Sequence, residues 1–344
     1  MAGYMGGYRS YRGKTPKWKI LLAVVLVLII IASLAFIRLQ SYITYDESGT
    51  PHLWMPEKPA AGGTEQRPTA SLVVEAPEPE AEPAPSSYTL LLPVSPVTTA
   101  EEATALLSTA QTADGVVCPL KGEDGRIYFR TASAVSGAVK ATDETAQALS
   151  AVVSGTEHSA ARLVCFLDSR AAGSDVEGKG LKNTGGYIFY DGNNRQWLDP
   201  AKADARAYLC TLAREAAELG FDELILADVG YPTVGKLNKI AYGDTPVEEN
   251  LELFLQELTQ ALRDYDVTLT IEMSAEGILS GGEGGLSLDL AAKYAQRIAA
   301  AAEETELDAL ASAVAQAEGE ASFVPILTQR PEGYEGSCIL REGE

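Results

Sequence analysis

The segment Cys210–Pro232, CTLAREAAELGFDELILADVGYP, constrains the fold more than any other part of the sequence. Its first half places apolar residues at helical spacing, and Gly220 follows where a helix end favours a residue that tolerates positive φ. The apolar run Leu224–Leu226 comes next, bounded by acidic residues, which is typical of a strand covered on both faces. A helix, a tight turn and a buried strand form half of a repeating α/β unit, so this segment indicates a parallel sheet flanked by helices.

The same alternation continues on both sides of this segment. The other predicted strands are Tyr88–Pro93, Gly115–Lys121, Ala161–Asp168, Val267–Met273, the weaker Leu307–Leu310 and Phe323–Leu327, and Ser337–Leu340. Predicted helices begin at Thr98, with a capping box to Glu101, near Asp143, at Thr245 with Pro246 in the first turn, and at Leu288, the last one reaching Ala301. Seven or eight such units in residues 87–344 predict a (β/α)8, TIM-like barrel that either closes with Ser337–Leu340 or is incomplete at the C-terminus.

An open, doubly wound α/β sheet is the alternative fold, but no GxGxxG motif follows an early strand. The long predicted connections 169–203 and 229–246 both follow strands, so a barrel would gather them at the strands' carboxyl ends, where such folds hold their sites. The glycine-rich stretch Ser280–Gly285 is predicted to be a loop over the barrel mouth.

The N-terminal quarter of the chain has a different composition. Residues 1–19 are basic and predict a disordered cytoplasmic tail, and residues 20–37 form an uncharged apolar run about 27 Å long as a helix, enough to cross a bilayer as a signal anchor. Positive charge before this run predicts a cytoplasmic N-terminus and an extracytoplasmic C-terminal domain. Residues 38–86, rich in proline and glutamate, predict a disordered linker. The sequence thus predicts a single-pass protein of the cell membrane.

Charge and histidine content exclude several classes of function. The first 38 residues carry six Lys or Arg and no acid, which leaves 21 basic and 48 acidic residues for the rest of the chain. Such a domain repels nucleic acid, so no nucleic-acid partner is expected. The only histidines are His52 and His158, which argues against a histidine-based triad or a multi-histidine metal site. We expect neither a cofactor nor a metal.

Charged groups end four of the predicted strands: Lys121, Asp168, Asp228 and Glu272. In a barrel all four would project from one face, and two carboxylates on such a face are the minimum apparatus for glycoside hydrolysis. The connecting loops add aromatic side chains that could stack on sugar rings, namely Tyr187, Tyr190, Trp197 and Tyr231. The alternative is that the charged residues are ordinary solvated strand ends and that the aromatic residues only pack the loops against the domain.

The sequence resembles the uncharacterised "putative glycoside hydrolase" domain family, whose barrel is related to those of the α-amylase-like enzymes. The resemblance runs from about Ser87 to Gln329 and is strongest in ARLVCFLDS, WLDP and AELGFDELILADVGYP. The matching residues are Arg162, Phe166, Asp168, Trp197, Pro200, Gly220, Phe221, Asp222, Glu223 and Pro232, with Asp199 in place of an Asn. Lys121 with Gly125 resembles an early Val-Lys-x-x-x-Gly segment, and Glu272 falls where the family's fifth strand ends in an acid.

The active-site motif of this sequence also departs from the family pattern. The family's fourth-strand acid aligns with Ala227, and Asp228 occupies the neighbouring Tyr position. The family's Arg aligns with Gly230, and an early-strand Asp aligns with Pro119. Because a shift of one residue turns a side chain to the other face of a strand, Asp228 replaces the missing acid only if a bulge or strand-end turn re-aims it.

The resemblance implies a membrane-anchored glycosidase acting on cell-envelope or external polysaccharide or oligosaccharide. Asp228 would be the nucleophile or base and Glu272 the general acid. The residues expected to shape the sugar site are Lys121, Arg162, Asp168, Trp197 and Tyr231. Two alternatives stay open: a catalytically inactive barrel that binds glycan or a protein partner at the cell surface, and a structural envelope protein.

Overall fold

The computed structural model describes residues 43–45, 51–53 and 88–341. Ile43–Tyr45 and Pro51–Leu53, which lie within the predicted linker, pair as a short antiparallel hairpin. The predicted membrane anchor at residues 20–37, the tail before it and the rest of the linker lie outside the described residues. Among the residues that are described, no helix is long and apolar enough to span a membrane.

Residues 88–341 form a closed barrel of eight parallel strands. The strands are β1 (Leu90–Pro93), β2 (Gly115–Lys121), β3 (His158–Val164), β4 (Glu223–Ala227), β5 (Thr268–Glu272), β6 (Arg297–Ala301), β7 (Ser322–Leu327) and β8 (Cys338–Leu340). Each strand pairs with the next along the chain, and β8 pairs with β1 to close the ring. The predicted (β/α)8 architecture is confirmed, and the barrel is not incomplete at its C-terminus.

Eight helices of residues 88–341 surround the strands. They are α1 (Ala100–Thr109), α2 (Thr145–Gly155), α3 (Ser169–Ser174), α4 (Ala203–Glu218), α5 (Val247–Leu262), α6 (Ala275–Ser280), α7 (Leu288–Tyr294) and α8 (Leu307–Gln316). Short 3₁₀ turns occur at Ala110–Thr112, Leu237–Lys239 and Glu304–Glu306. Residues 328–337, between β7 and β8, contain no helix.

Side chains fill the barrel in layers, as the alternation of a strand requires. The middle layer is apolar and includes Leu91, Val117, Ala160, Ile225, Ala299, Val324 and Ile339. Below it, buried Glu223 contacts His158 at 2.9 Å, and it also pairs with Arg297 and accepts a hydrogen bond from Thr270. These polar groups are bonded to one another inside the protein and fill the amino-terminal end of the barrel.

Three local predictions were wrong. Residues 297–301, expected to end a helix, form β6, because small alanine side chains fit between β5 and β7 although alanine favours helices. Leu307–Leu310, expected to be a strand, begins α8, since a short apolar run does not distinguish the two structures. The capping box of α1 is formed by Thr99 with Glu102, one residue later than predicted.

The start of α5 also differs from the prediction. Pro246 is the N-cap residue, and no side chain forms a capping hydrogen bond to this helix. The predicted capping box that begins at Thr245 is therefore not formed in this part of the structure. The glycine stop after α4 is confirmed, because Gly220 adopts a φ of 89° directly after the C-cap residue Leu219.

Candidate active site

A cavity of about 450 Å³ opens at the carboxyl ends of the strands. Five of the seven predicted site residues line it: Arg162, Trp197, Asp228, Tyr231 and Glu272. Lys121 and Asp168 are fully buried and do not contribute to its lining. The structure therefore brings together the predicted catalytic pair and three of the predicted binding residues.

A β-bulge explains the position of Lys121. Pro119 pairs with Arg162, but the next paired residue is Lys121 with Leu163, so the register shifts by one at this point. Leu163 belongs to the core between the strands and the helices, and Lys121 therefore faces that outer core instead of the cavity. Pro119, which has no N–H to donate within the second strand, marks this bulge in the sequence. The expectation that Lys121 projects into the site with the other strand-end groups was wrong.

Asp168 lies outside the cavity because β3 ends earlier than predicted, at Val164. Its carboxylate forms a 3.0 Å ion pair with Lys121 and caps α3 by accepting hydrogen bonds from the amides of Arg170 and Ala171. Tyr208 donates a further hydrogen bond at 3.2 Å. All of this is internal to the protein, so Asp168 and Lys121 hold the fold together and do not contact a ligand.

Arg162 and Glu272 form a two-pronged ion pair in the cavity wall. The Nε of Arg162 lies 2.7 Å from Oε2 of Glu272, and its Nη2 lies 3.1 Å from Oε1. Both side chains keep contact with solvent, at 29% and 25% exposure. The two residues come from β3 and β5, and the strand between them carries Ala227, whose small side chain leaves room for the pair to form across it. The absence of the family's acid at position 227 is thus part of how this pair is accommodated.

Asp228 lies in a turn at the end of β4, which is the position it needs if it is to replace the family's acid. It follows the last residue of β4 directly, and its φ of 51° places it in the left-handed region, which Asp and Asn tolerate better than most residues. Its carbonyl accepts a hydrogen bond from the amide of Phe166 at 3.1 Å, which anchors the turn to the neighbouring strand. The turn directs Asp228 into the cavity in spite of the one-residue shift relative to the family pattern.

The environment of Asp228 disfavours its charge. Burial first, and then the nearby carboxylate of Glu123, raise the pKa of Asp228 to about 6, while the guanidinium of Arg162 opposes the shift. Within residues 88–341, no side chain donates a hydrogen bond to this carboxylate. Asp228 is therefore a carboxyl group that can hold and release a proton near neutral pH.

A chain of charges outside the predicted set supports the cavity wall. Buried Asp191 accepts a hydrogen bond from Nε1 of Trp197 at 3.0 Å and pairs with Nε of Arg195 at 3.2 Å. Arg195 in turn contacts Glu123, a cavity residue, at 3.1 Å. Sequence reasoning missed these groups because they lie in loops without periodicity; the Asp-Gly pair at 191–192 marked only a turn.

Tyr231 connects the cavity to the glycine-rich segment. Its amide donates a 2.7 Å hydrogen bond to the carbonyl of Gly284, within a small hairpin formed by Gly282–Glu283 and Leu286–Ser287. A Cβ atom at Gly230 would lie 2.9 Å from that carbonyl, which leaves no room for the family's Arg at this position. The Ser280–Gly285 segment adds Glu283 to the cavity lining, but it forms the end of α6 and part of a hairpin instead of the flexible loop that was predicted.

Comparison with known proteins identifies the family. The model of the family described as "Putative glycosyl hydrolase domain" matches residues 91–280, which is more than half of the chain. The chain belongs to this family. The matched region holds the five cavity residues Arg162, Trp197, Asp228, Tyr231 and Glu272, so the glycosyl hydrolase-like domain and the candidate site coincide. No curated protein matches the chain in sequence.

Two solved structures share the fold, and a third is similar to about half of the chain. The PgaB (BpsB) glycoside hydrolase domain from Bordetella bronchiseptica is 14% identical, with a TM-score of 0.53, over 74% of this chain and 94% of that one. The α-glucosyl transfer enzyme XgtA is 11% identical, with a TM-score of 0.51, over 74% and 67% of the two chains. A hypothetical protein from Ruminiclostridium thermocellum is 24% identical, with a TM-score of 0.44, over 52% and 96%. At these identities the likeness concerns the barrel fold.

Proposed function

We propose that this domain hydrolyses glycosidic bonds of an oligosaccharide or polysaccharide, with Asp228 and Glu272 as the catalytic carboxylates. The observation that carries the proposal is that both line one cavity in opposite electrostatic environments. Asp228 is half-buried and has no bonded cation, and desolvation raises its pKa to about 6, whereas Glu272 is bonded to a guanidinium through both oxygens. Two carboxyl groups held in different environments are what acid-assisted cleavage of a glycosidic bond requires.

The environments favour roles opposite to those expected from the sequence. Asp228 is suited to be the general acid that protonates the leaving oxygen, because its neutral form is favoured by burial. Glu272, which is paired with Arg162, either attacks the anomeric carbon or activates a water molecule. Proton NMR of the first-formed sugar anomer separates these two courses, since a retained configuration requires attack by Glu272 and an inverted one requires water.

The proposal is tested by conservative variants of the two carboxylates. Asp228→Asn and Glu272→Gln should each abolish release of reducing ends from polysaccharide while the circular dichroism spectrum stays unchanged. Asp308→Asn and Glu249→Gln change exposed acids of the same types on α8 and α5 and should leave the rate unaltered. Retained hydrolysis in both site variants would rule out this pair as catalysts.

A specific observation also supports a second function, in which the barrel binds glycan or a protein partner without cleaving it. Both oxygens of Glu272 are already bonded to Arg162, and Ala227 replaces the acid of the family pattern. This second function would be favoured over hydrolysis if the purified full chain binds oligosaccharides but releases no product from any oligosaccharide that it binds.

We further propose that the domain works outside the cytoplasm, on cell-envelope or external polysaccharide. This proposal rests on the apolar run at residues 20–37 and on the basic residues before it. In intact cells, added protease should degrade the C-terminal domain while an epitope fused to the N-terminus survives. Protection of the domain from protease would contradict the proposed orientation.

A further inference from the structure

A second cavity of about 730 Å³ lies beside the candidate active site. It is enclosed by the loop that leads from β4 to α5, by α6, and by the hairpin that contains Glu283. These segments all follow the carboxyl ends of β4 and β5, so the second cavity opens on the same face of the barrel as the first. Its volume falls in the range of small-molecule sites.

The two cavities adjoin each other. Five residues line both of them: Tyr231, Thr233, Ser274, Glu283 and Gly284. The partition between the cavities is the tip of the hairpin, which is held by the hydrogen bond from the Tyr231 amide to the Gly284 carbonyl. Both oxygens of Glu283 accept hydrogen bonds from Ser274, one from the amide at 2.5 Å and one from the hydroxyl at 2.6 Å. This partition is therefore a ridge of polar atoms held in place by hydrogen bonds.

Glycines keep the ridge close to the loop beneath it. A Cβ atom at Gly284 would approach the Tyr231 carbonyl to 2.5 Å, and one at Gly285 would approach Val247 to 2.9 Å. Both residues have positive φ, at 57° and 84°, as glycine alone adopts without strain. A side chain at either position would push the hairpin outward, so the glycines set the height of the ridge.

The lining of the second cavity combines the two chemistries that a sugar ring presents. One part is apolar, formed by Leu237, Val247 and Tyr242, whose ring packs edge-on against Tyr231 at 5.2 Å. The other part is polar and carries Glu276 and Ser280 of α6. An apolar wall with a few fixed polar groups suits a ligand that has apolar C–H faces and hydroxyl edges.

We propose that the second cavity is a further sugar-binding subsite, and that the ligand is a chain of sugar units that lies across the Glu283–Gly284 ridge. The inference deepens the proposed function, on which it rests for the occupant of the first cavity. It specifies the substrate class as an oligosaccharide or polysaccharide bound on both sides of the ridge, and it predicts weak binding of single sugars. It also assigns Ser280 and Val234, which line the second cavity from α6 and from the loop before α5, to substrate recognition.

Chain-length dependence of binding tests this inference. Calorimetric titration of the full chain carrying Asp228→Asn, which prevents turnover, would use two probe series with one to six units: α-linked glucose and β-linked N-acetylglucosamine oligomers. In the series that binds, affinity should rise at least tenfold from the disaccharide to the tetrasaccharide as the second cavity becomes filled, equivalent to about 1.4 kcal/mol.

Two tryptophan variants and one matched control locate the gain. Ser280→Trp and Val234→Trp should each remove it by filling the second cavity, with disaccharide binding unchanged. Leu279→Trp is the matched control, because Leu279 is 52% exposed on the same helix and lines neither cavity. Affinity that is independent of chain length, or equal in Ser280→Trp, Val234→Trp and Leu279→Trp, would overturn the subsite while leaving hydrolysis intact. Absence of binding by every oligomer would overturn the proposed function as well.

Discussion

Replacing Asp228 by asparagine should stabilise the domain although it removes the proposed general acid. Burial and the carboxylate of Glu123 disfavour the charged form of Asp228, so at neutral pH the folded protein holds a carboxylate in an unfavourable place. Asparagine has nearly the same shape, carries no charge and tolerates the left-handed conformation observed here, with φ of 51°. The change therefore removes the electrostatic strain without adding a steric one.

The expected size of this effect follows from the two proton affinities. The pKa of Asp228 is raised from 3.8 to about 6 on folding, and each pH unit corresponds to 1.36 kcal/mol. The folded state binds the proton of Asp228 more tightly than the unfolded state does. The contribution of this proton to stability is therefore greatest below pH 3.8 and is lost as pH rises through about 6. At pH 7.5, Asp228→Asn should thus raise the free energy of unfolding by up to about 3 kcal/mol, with residual solvent contact reducing the gain. At pH 5 the gain should be about half as large.

Urea unfolding followed by tryptophan fluorescence measures this difference, since Trp197 is buried in the cavity wall. Wild type, Asp228→Asn and the exposed control Asp308→Asn would be compared at pH 7.5 and pH 5. The site variant should gain stability at both pH values and more at the higher one, whereas the control should change by less than about 0.5 kcal/mol at either. A loss of stability in Asp228→Asn, or a gain that is the same at both pH values, would refute the assignment of Asp228 as a carboxyl group with a raised pKa.

Two further predictions concern residues away from the chemistry. Lys121→Met should lower the free energy of unfolding, measured by urea denaturation, by about 3–5 kcal/mol, because it leaves the carboxylate of Asp168 without its cation in the interior. The double variant Lys121→Met/Asp168→Asn keeps the helix cap and should recover much of this loss. Gly230→Arg, which restores the family residue, should lower the melting temperature through a loss of about 1–3 kcal/mol, because its Cβ would lie 2.9 Å from the Gly284 carbonyl. Gly230→Ala should reproduce most of that loss, and a neutral effect would show that the hairpin yields.

The sequence was sufficient to predict the barrel because its strongest signals are local. The helix that ends at Gly220 and the buried strand after it are both determined by short-range periodicity and by a single glycine. The same signals failed at Arg297–Ala301, where alanine-rich sequence forms a strand. That outcome depends on the narrow space between β5 and β7, which is a property of the assembled barrel.

The candidate site was only partly predictable for a related reason. Arg162 and Glu272 reach the cavity because strand alternation places them inside the barrel, and this can be inferred from spacing. Lys121 does not reach the cavity, because the bulge after Pro119 turns its side chain to the outer side of the barrel. The sequence marks this bulge only by a proline within the strand. Asp191 and Glu283 escaped prediction because loop residues acquire their neighbours from the packing of loops against one another.

The structure also separates charges that support the fold from charges suited to chemistry. Lys121 and Asp168 are fully buried, and each carboxylate oxygen and the ammonium group have partners inside the protein. Asp228 has a left-handed backbone, a raised pKa and no bonded side-chain donor within residues 88–341, and it faces a cavity. Each of these features lowers stability, and such features are retained mainly where function requires them. Their coincidence on Asp228, which follows the position of the family's acid by one residue, supports the proposal that Asp228 replaces the acid missing at position 227.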